Sequence, residues 1–143
     1  RVVGQGVPDA PLACSQRLAV QEHRARQMPR LRRDLLLLVA DLPLLTDADI
    51  VPLLHAWRAR PPAVQALVPV VDGVRGHPVC LSWEAVSAVD RLPPAQGVRD
   101  GLAGAGDAVQ RLVTDRVAHV TDLDTPEDLA ALRRRLWPQR VDW

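Results

Sequence analysis

The sequence contains no lysine, no tyrosine and no phenylalanine. All 18 of its basic residues are therefore arginine. Without lysine there can be no Schiff-base chemistry, no lysine general base and no P-loop lysine. The aromatic content is four tryptophans, Trp57, Trp83, Trp137 and Trp143, so the core must be built from Leu, Val and Ala. Cysteine is nearly absent too. Cys14 and Cys80 are too few and too far apart for a disulfide framework or a zinc cluster, which points to a reducing, cytoplasmic setting. The 18 basic residues face 17 acidic ones, for a net charge of +1. That excludes the strong basic field of a nucleic-acid binder. The longest central apolar run, Leu35–Ala40, is far too short to span a bilayer. No basic start with an apolar run and small-residue cleavage site opens the chain. Neither nucleic acid nor membrane is an expected partner.

What is present fits one α/β domain over residues 1–143. Hydrophobic residues make up 48% and charged residues 24%, ordinary for a globular protein. Val2-Val3 reads as the end of a strand, and a start at Arg1 predicts that something upstream is absent. Helical spacing is expected over Ala13–Arg26, with Leu12, Ala19 and Val20 as core contacts, ending at Pro29. Asp34–Ala40 is a short continuous apolar run, as expected of a central parallel strand buried on both faces. Thr46 or Asp47 then caps a helix over Ala48–Arg60, with Ile50, Leu53, Leu54 and Trp57 on one stripe. Gln65–Val71 reads as a strand, Asp72-Gly73 as a turn and His77–Leu81 as a return strand. Ser82 caps a helix through Val89. Gln96–Val113 reads as one or two short helices broken by Gly101, Gly104 and Gly106. Arg116–Thr121 is expected to be the last strand. Thr125-Pro126-Glu127-Asp128 opens a helix to about Leu136, with an N-cap, a first-turn proline and two acids at the positive end of the dipole.

In open α/β sheets ligands bind beyond the carboxyl ends of strands. Asp41 follows one predicted strand. Asp122 and Asp124 follow another, and residues two apart in an extended segment share a face. Together these carboxylates can hold a hard divalent ion through oxygen. The alternative is that Asp41 caps a turn before Pro43 and the other two are acids at a helix start. Arg75-Gly76-His77-Pro78 can contact an anion through charge and a donor ring, or be a hairpin turn with an exposed histidine. His23, His55 and His119 have no metal-ligand spacing and read as structural. Arg30, Arg32 and Arg33 read as a solvated connection, and Gly101–Gly106 as a helix break rather than a phosphate loop.

Three segments combine in order: Leu-Leu-Val-Ala-Asp41-Leu-Pro-Leu-Leu-Thr, then Val-Pro-Val-Val-Asp-Gly-Val-Arg-Gly76-His77-Pro78-Val, then Asp122-Leu-Asp124-Thr125-Pro126-Glu127-Asp128-Leu. The sequence resembles the MobA-like nucleotidyltransferases from about Arg1 to Leu136. It is most similar to the branch that attaches a nucleotide to molybdopterin. The resemblance implies a Rossmann-like three-layer α/β/α sandwich with a mostly parallel sheet. It implies attack of an acceptor phosphate on the α-phosphate of an NTP, CTP or GTP, with release of pyrophosphate. It places Mg²⁺ on Asp41 as the catalytic acid and on Asp122 and Asp124. It places Arg75, Gly76, His77 and Pro78 beside a molybdopterin-like acceptor, and suggests a molybdenum enzyme as a further partner. Sugar phosphates and phospholactate are acceptors of similar families, and a non-catalytic ligand- or partner-binding module is the reading from another class. The family's opening Leu-Ala-Gly-Gly-x-Ser-x-Arg-Met-Gly loop, with its nearby lysine, has no match in this sequence. The expectation is a domain missing its first β-loop-α unit, with an open sheet edge that favours dimerisation or poor solubility.

Overall fold

The computed structural model describes residues 11–26, 32–93 and 95–136. The expected strand at Val2-Val3, Arg30 and Trp137 lie outside these residues. The organising strand is β2 (Ala66–Val71), whose six residues are all buried. Alternate side chains feed two separate cores, because successive strand residues face opposite ways. Ala66 and Val68 join Leu37, Val79, Leu81, Val86 and Val89 on one face. Leu67 joins Leu53, Trp57, Val64 and Cys80 on the other. Helices supply both outer layers. α1 (Leu12–Ala25), α3 (Trp83–Asp90) and α4 (Val98–Ala103) cover the first face, and α2 (Asp47–Arg58) covers the second. The architecture is the α/β/α sandwich of a Rossmann-like fold.

The sheet is mixed rather than mostly parallel. β4 (Val79–Leu81) runs antiparallel to both β1 (Leu35–Leu37) and β2. β3 (Val74–Arg75) is also antiparallel to β2, and only β5 (Val109–Val113) runs parallel to it. Among the described residues, the run at Asp34–Ala40 is therefore an edge strand and not the central one. Only Leu35–Leu37 is extended, it pairs antiparallel, and its sole partner among the described residues is β4. Leu37 is buried, but Leu36 is 37% and Leu38 49% exposed. The expected helix over Gln96–Val113 divides at Gly104 into α4, a 3₁₀ turn at Gly106–Ala108, and β5. The expected strand at Arg116–Thr121 is instead a 3₁₀ turn, Val117–His119. Of the three expected contacts in α1, Val20 is fully buried while Leu12 and Ala19 are exposed.

The sequence signals at helix starts hold. Thr46 and Asp49 form a capping box at α2. Ser82 accepts from the Ala85 N–H at 3.1 Å to cap α3. α5 (Pro126–Leu136) has the expected bounds, and Thr125 Oγ1 accepts from the Asp128 N–H at 3.1 Å. α1 is tied to α3 by Arg24, which pairs with Asp90 and lies 5.6 Å from the Trp83 ring centroid. Asp34 accepts from Trp57 Nε1 and Arg60 Nη2, each at 3.0 Å, and Arg60 stacks on Trp57. No helix among the described residues is long and apolar enough to cross a membrane.

Candidate functional site

The site is organised by a break in strand register. β2 and β3 are joined by Asp72-Gly73, with φ of 49° and 83°, the left-handed pair that a two-residue hairpin turn requires. Beside the turn, Val70 pairs with Arg75, so the residue numbers sum to 145. Farther along, Ala66 pairs with Leu81, summing to 147. Two extra residues have entered the return strand between β3 and β4, where Gly76-His77-Pro78 sits. The bulge also explains a proline in a central strand. Pro69 O accepts from the Gly76 N–H at 2.9 Å, so the nitrogen of Pro69 faces the same slipped edge, where no ladder donor is needed.

The bulge is held from two directions. On one side the 3₁₀ turn grips it. The His77 N–H donates to His119 O at 2.9 Å, and the His119 ring Nδ1 donates to His77 O at 2.7 Å. His119 is 2% exposed. Its structural reading stands, but its task is local to the site: it locks the Gly-His-Pro segment. On the other side the His77 ring lies close enough to the Leu37 backbone at the end of β1, and to the Asp41 carboxylate, for both to act on its charge. Burial lowers the His77 pKa against these two raising influences, which favours the neutral ring. Its Nδ1 is buried with no hydrogen-bond partner.

The bulge thus lies beside the chain segments that lead to Asp41 and to Asp122. Asp41 lies four residues beyond Leu37, and Asp122 three beyond His119. Asp41, Asp122 and Asp124 are all exposed. None of their carboxylates has a hydrogen bond or ion pair among the described residues. The Asp124 and Thr125 N–H groups both donate to Asp128, whose carboxyl is held below the usual range chiefly by Thr125. Asp128 is therefore the capping acid here, and Asp41 and Asp122 are not committed to caps. No group of three or more His, Cys, Asp or Glu converges as a metal site among the described residues. The three aspartates are not gathered into one all-protein cage. Nor is there a thiol nucleophile in the sheet. Burial pushes the Cys80 thiol up to about 12, with Arg60 lowering it and Asp34 raising it.

The approach of these segments is braced by a pair that sequence reasoning missed. Arg116 Nη1 donates to Asp49 Oδ1 at 2.9 Å, joining the N-terminus of α2 to the segment that leads into the 3₁₀ turn. The Asp49 side chain is 5% exposed and that of Arg116 47%. Burial raises the Asp49 pKa, but the Thr46 bonds and Arg116 outweigh it, so the net shift is below the usual 3.8. A depressed acid adds stability that is complete above about pH 4 and is lost as pH falls through the native value. Because Thr46 still satisfies Asp49 and Arg116 is half in water, Arg116→Ala should cost only about 1 kcal/mol at pH 7. The difference from wild type should shrink as the pH falls through the lowered native value of Asp49, and urea melts across pH check both.

No curated protein matches the chain. The family model for the MobA-like NTP transferase domain matches residues 10–134 of the 143. That span carries α1, the sheet, the Gly76-His77-Pro78 bulge and both acidic segments, and the chain belongs to the MobA-like NTP transferase domain family.

Proposed function

We propose that this domain transfers a nucleotidyl group from CTP or GTP to a phosphorylated acceptor, molybdopterin foremost, with release of pyrophosphate. The observation that carries this reading is the bulge. It is bonded to the segment before Asp122, and its histidine rests on the strand before Asp41. Family membership supports a nucleotidyltransferase-like function. Asp41 and Asp122, with Asp124 beside them, would hold Mg²⁺. Exposed oxygen donors without other partners suit an ion that takes one or two carboxylates and completes its shell with phosphate oxygens and water. When bound, it supplies positive charge to the phosphate oxygens.

The chain's own residues position the reactants. The Arg75 guanidinium faces solvent on β3 and offers a fork of donors to the acceptor phosphate. The rigid Gly76-His77-Pro78 backbone fixes where that phosphate sits relative to Asp41. Phosphoryl transfer depends mostly on such positioning and on charge neutralisation, not on a protein nucleophile. The acceptor is tested by measuring pyrophosphate release from CTP and from GTP with the native polypeptide. Molybdopterin, a sugar phosphate and phospholactate are offered in turn, with and without Mg²⁺. Release that needs both Mg²⁺ and molybdopterin is the expected result. Preference for another acceptor would move the assignment to that branch. Acceptor binding without any release would leave a binding module in place of an enzyme.

A further inference from the structure

A cavity of about 860 Å³ opens between the start of α1, the β3 edge with its bulge, and α4. Its lining is mixed, and its apolar residues include Leu12, Val74, Val79, Val98 and Leu102. Two of them, Leu12 at 59% and Val74 at 57%, are among the most exposed large hydrophobic residues described. Single exposed apolar side chains are ordinary, but these two flank one opening.

Arg75 and Arg99 stand in the same wall. Neither has a hydrogen-bonding or ion-pair partner among the described residues. Elsewhere Arg24, Arg26, Arg60 and Arg116 are each paired with a carboxylate. The acid in the cavity, Asp100, is occupied by accepting from the Gly97 N–H at 2.8 Å. A second opening of about 480 Å³ shares Arg75, Leu102 and Ala103 with the first and adds Arg111 and Asp107. The opening combines exposed apolar walls with two uncommitted guanidinium groups.

We infer that this cavity binds a small organic anion, its apolar or planar body against Leu12 and Val74 and its phosphate or carboxylate on Arg75 and Arg99. The volume suits a ligand of that size, and a guanidinium fork matches either anion. The inference rests on reading the bulge as the acceptor side of the reaction. It adds Arg99, which lies outside the resembled motifs, as the residue that selects a charged acceptor over a neutral one.

The test is calorimetric titration of the native protein with 1-naphthyl phosphate, in the absence of NTP and metal. Saturable one-to-one binding is expected. Arg75→Gln and Arg99→Gln should each weaken it about tenfold, the loss of one charge-assisted contact. Arg91→Gln, which removes an exposed arginine away from the cavity, should bind as wild type. 1-Naphthol, which lacks the phosphate, should bind at least about tenfold more weakly. No saturation, or an Arg99→Gln variant that binds as wild type, would overturn the inference. Phosphate-dependent binding without nucleotidyl transfer would count against the proposed reaction alone. Transfer with the acceptor KM and naphthyl phosphate affinity both unchanged in Arg99→Gln would count against the cavity alone.

Discussion

Asp41→Asn should lower nucleotidyl transfer by about 10²–10³-fold or more, with the melting temperature unchanged. The size follows from removing a negative oxygen ligand from a site whose task is charge neutralisation at phosphate. The stability expectation follows from the surroundings of the side chain. Asp41 is exposed, and its carboxylate has no hydrogen bond or ion pair among the described residues. A surface change of this kind ordinarily stays within about 0.5 kcal/mol. Steady-state pyrophosphate release and a thermal melt on the same preparation separate the two effects. A variant that turns over within a few-fold of wild type would remove Asp41 from the catalytic centre.

Gly76→Ala should be the most damaging small substitution in the sheet. A Cβ at Gly76 would collide with the His119 carbonyl oxygen and lie 2.9 Å from its carbon and 3.0 Å from its Cβ. The obstacle is backbone, locked to His77 by two hydrogen bonds, so it cannot swing aside. Overpacking of this kind costs about 3 kcal/mol, and in a domain of this size that lowers the melting temperature by roughly 10 °C. Transfer should also fall at temperatures where the variant stays folded, because the bulge sets the separation of the Asp41 and Asp122 segments. Gly104→Ala is the matched control. Nothing lies within 4 Å of its added Cβ, and its φ of −99° suits alanine. It should melt at or slightly above the wild-type temperature.

The parts of the fold that were legible in the sequence are those set by local chemistry. Thr125, Pro126 and Asp128 fix the start of α5, and Asp72-Gly73 fixes the hairpin, because each satisfies its own backbone within a few residues. Strand placement was harder to read, because it depends on partners. Val109, Leu112 and Val113 are spaced for a helix face as well as for a strand, and only the parallel pairing with β2 decides between them. The apolar run ending at Ala40 looked central because of its composition. Its exposed Leu36 and Leu38 show that apolar content does not fix how many neighbours a strand has.

The site was legible in its motifs but not in its supports. The acids, Arg75 and the bulge residues carry a recognisable order along the chain. His119 and the Asp49–Arg116 pair carry no local signal, since their partners lie 42 and 67 residues away. Arg99 is equally silent, being one arginine among 18 until the cavity is seen.

The central claim is nucleotidyl transfer, and the fate of the α-phosphate tests it most directly. The native polypeptide is incubated with CTP or GTP labelled at the α-phosphate, a phosphorylated acceptor and Mg²⁺. The account predicts that label moves to the acceptor in step with pyrophosphate release, and that chelating the metal stops both. Label remaining in the NTP, or appearing only as free nucleoside monophosphate, would contradict it.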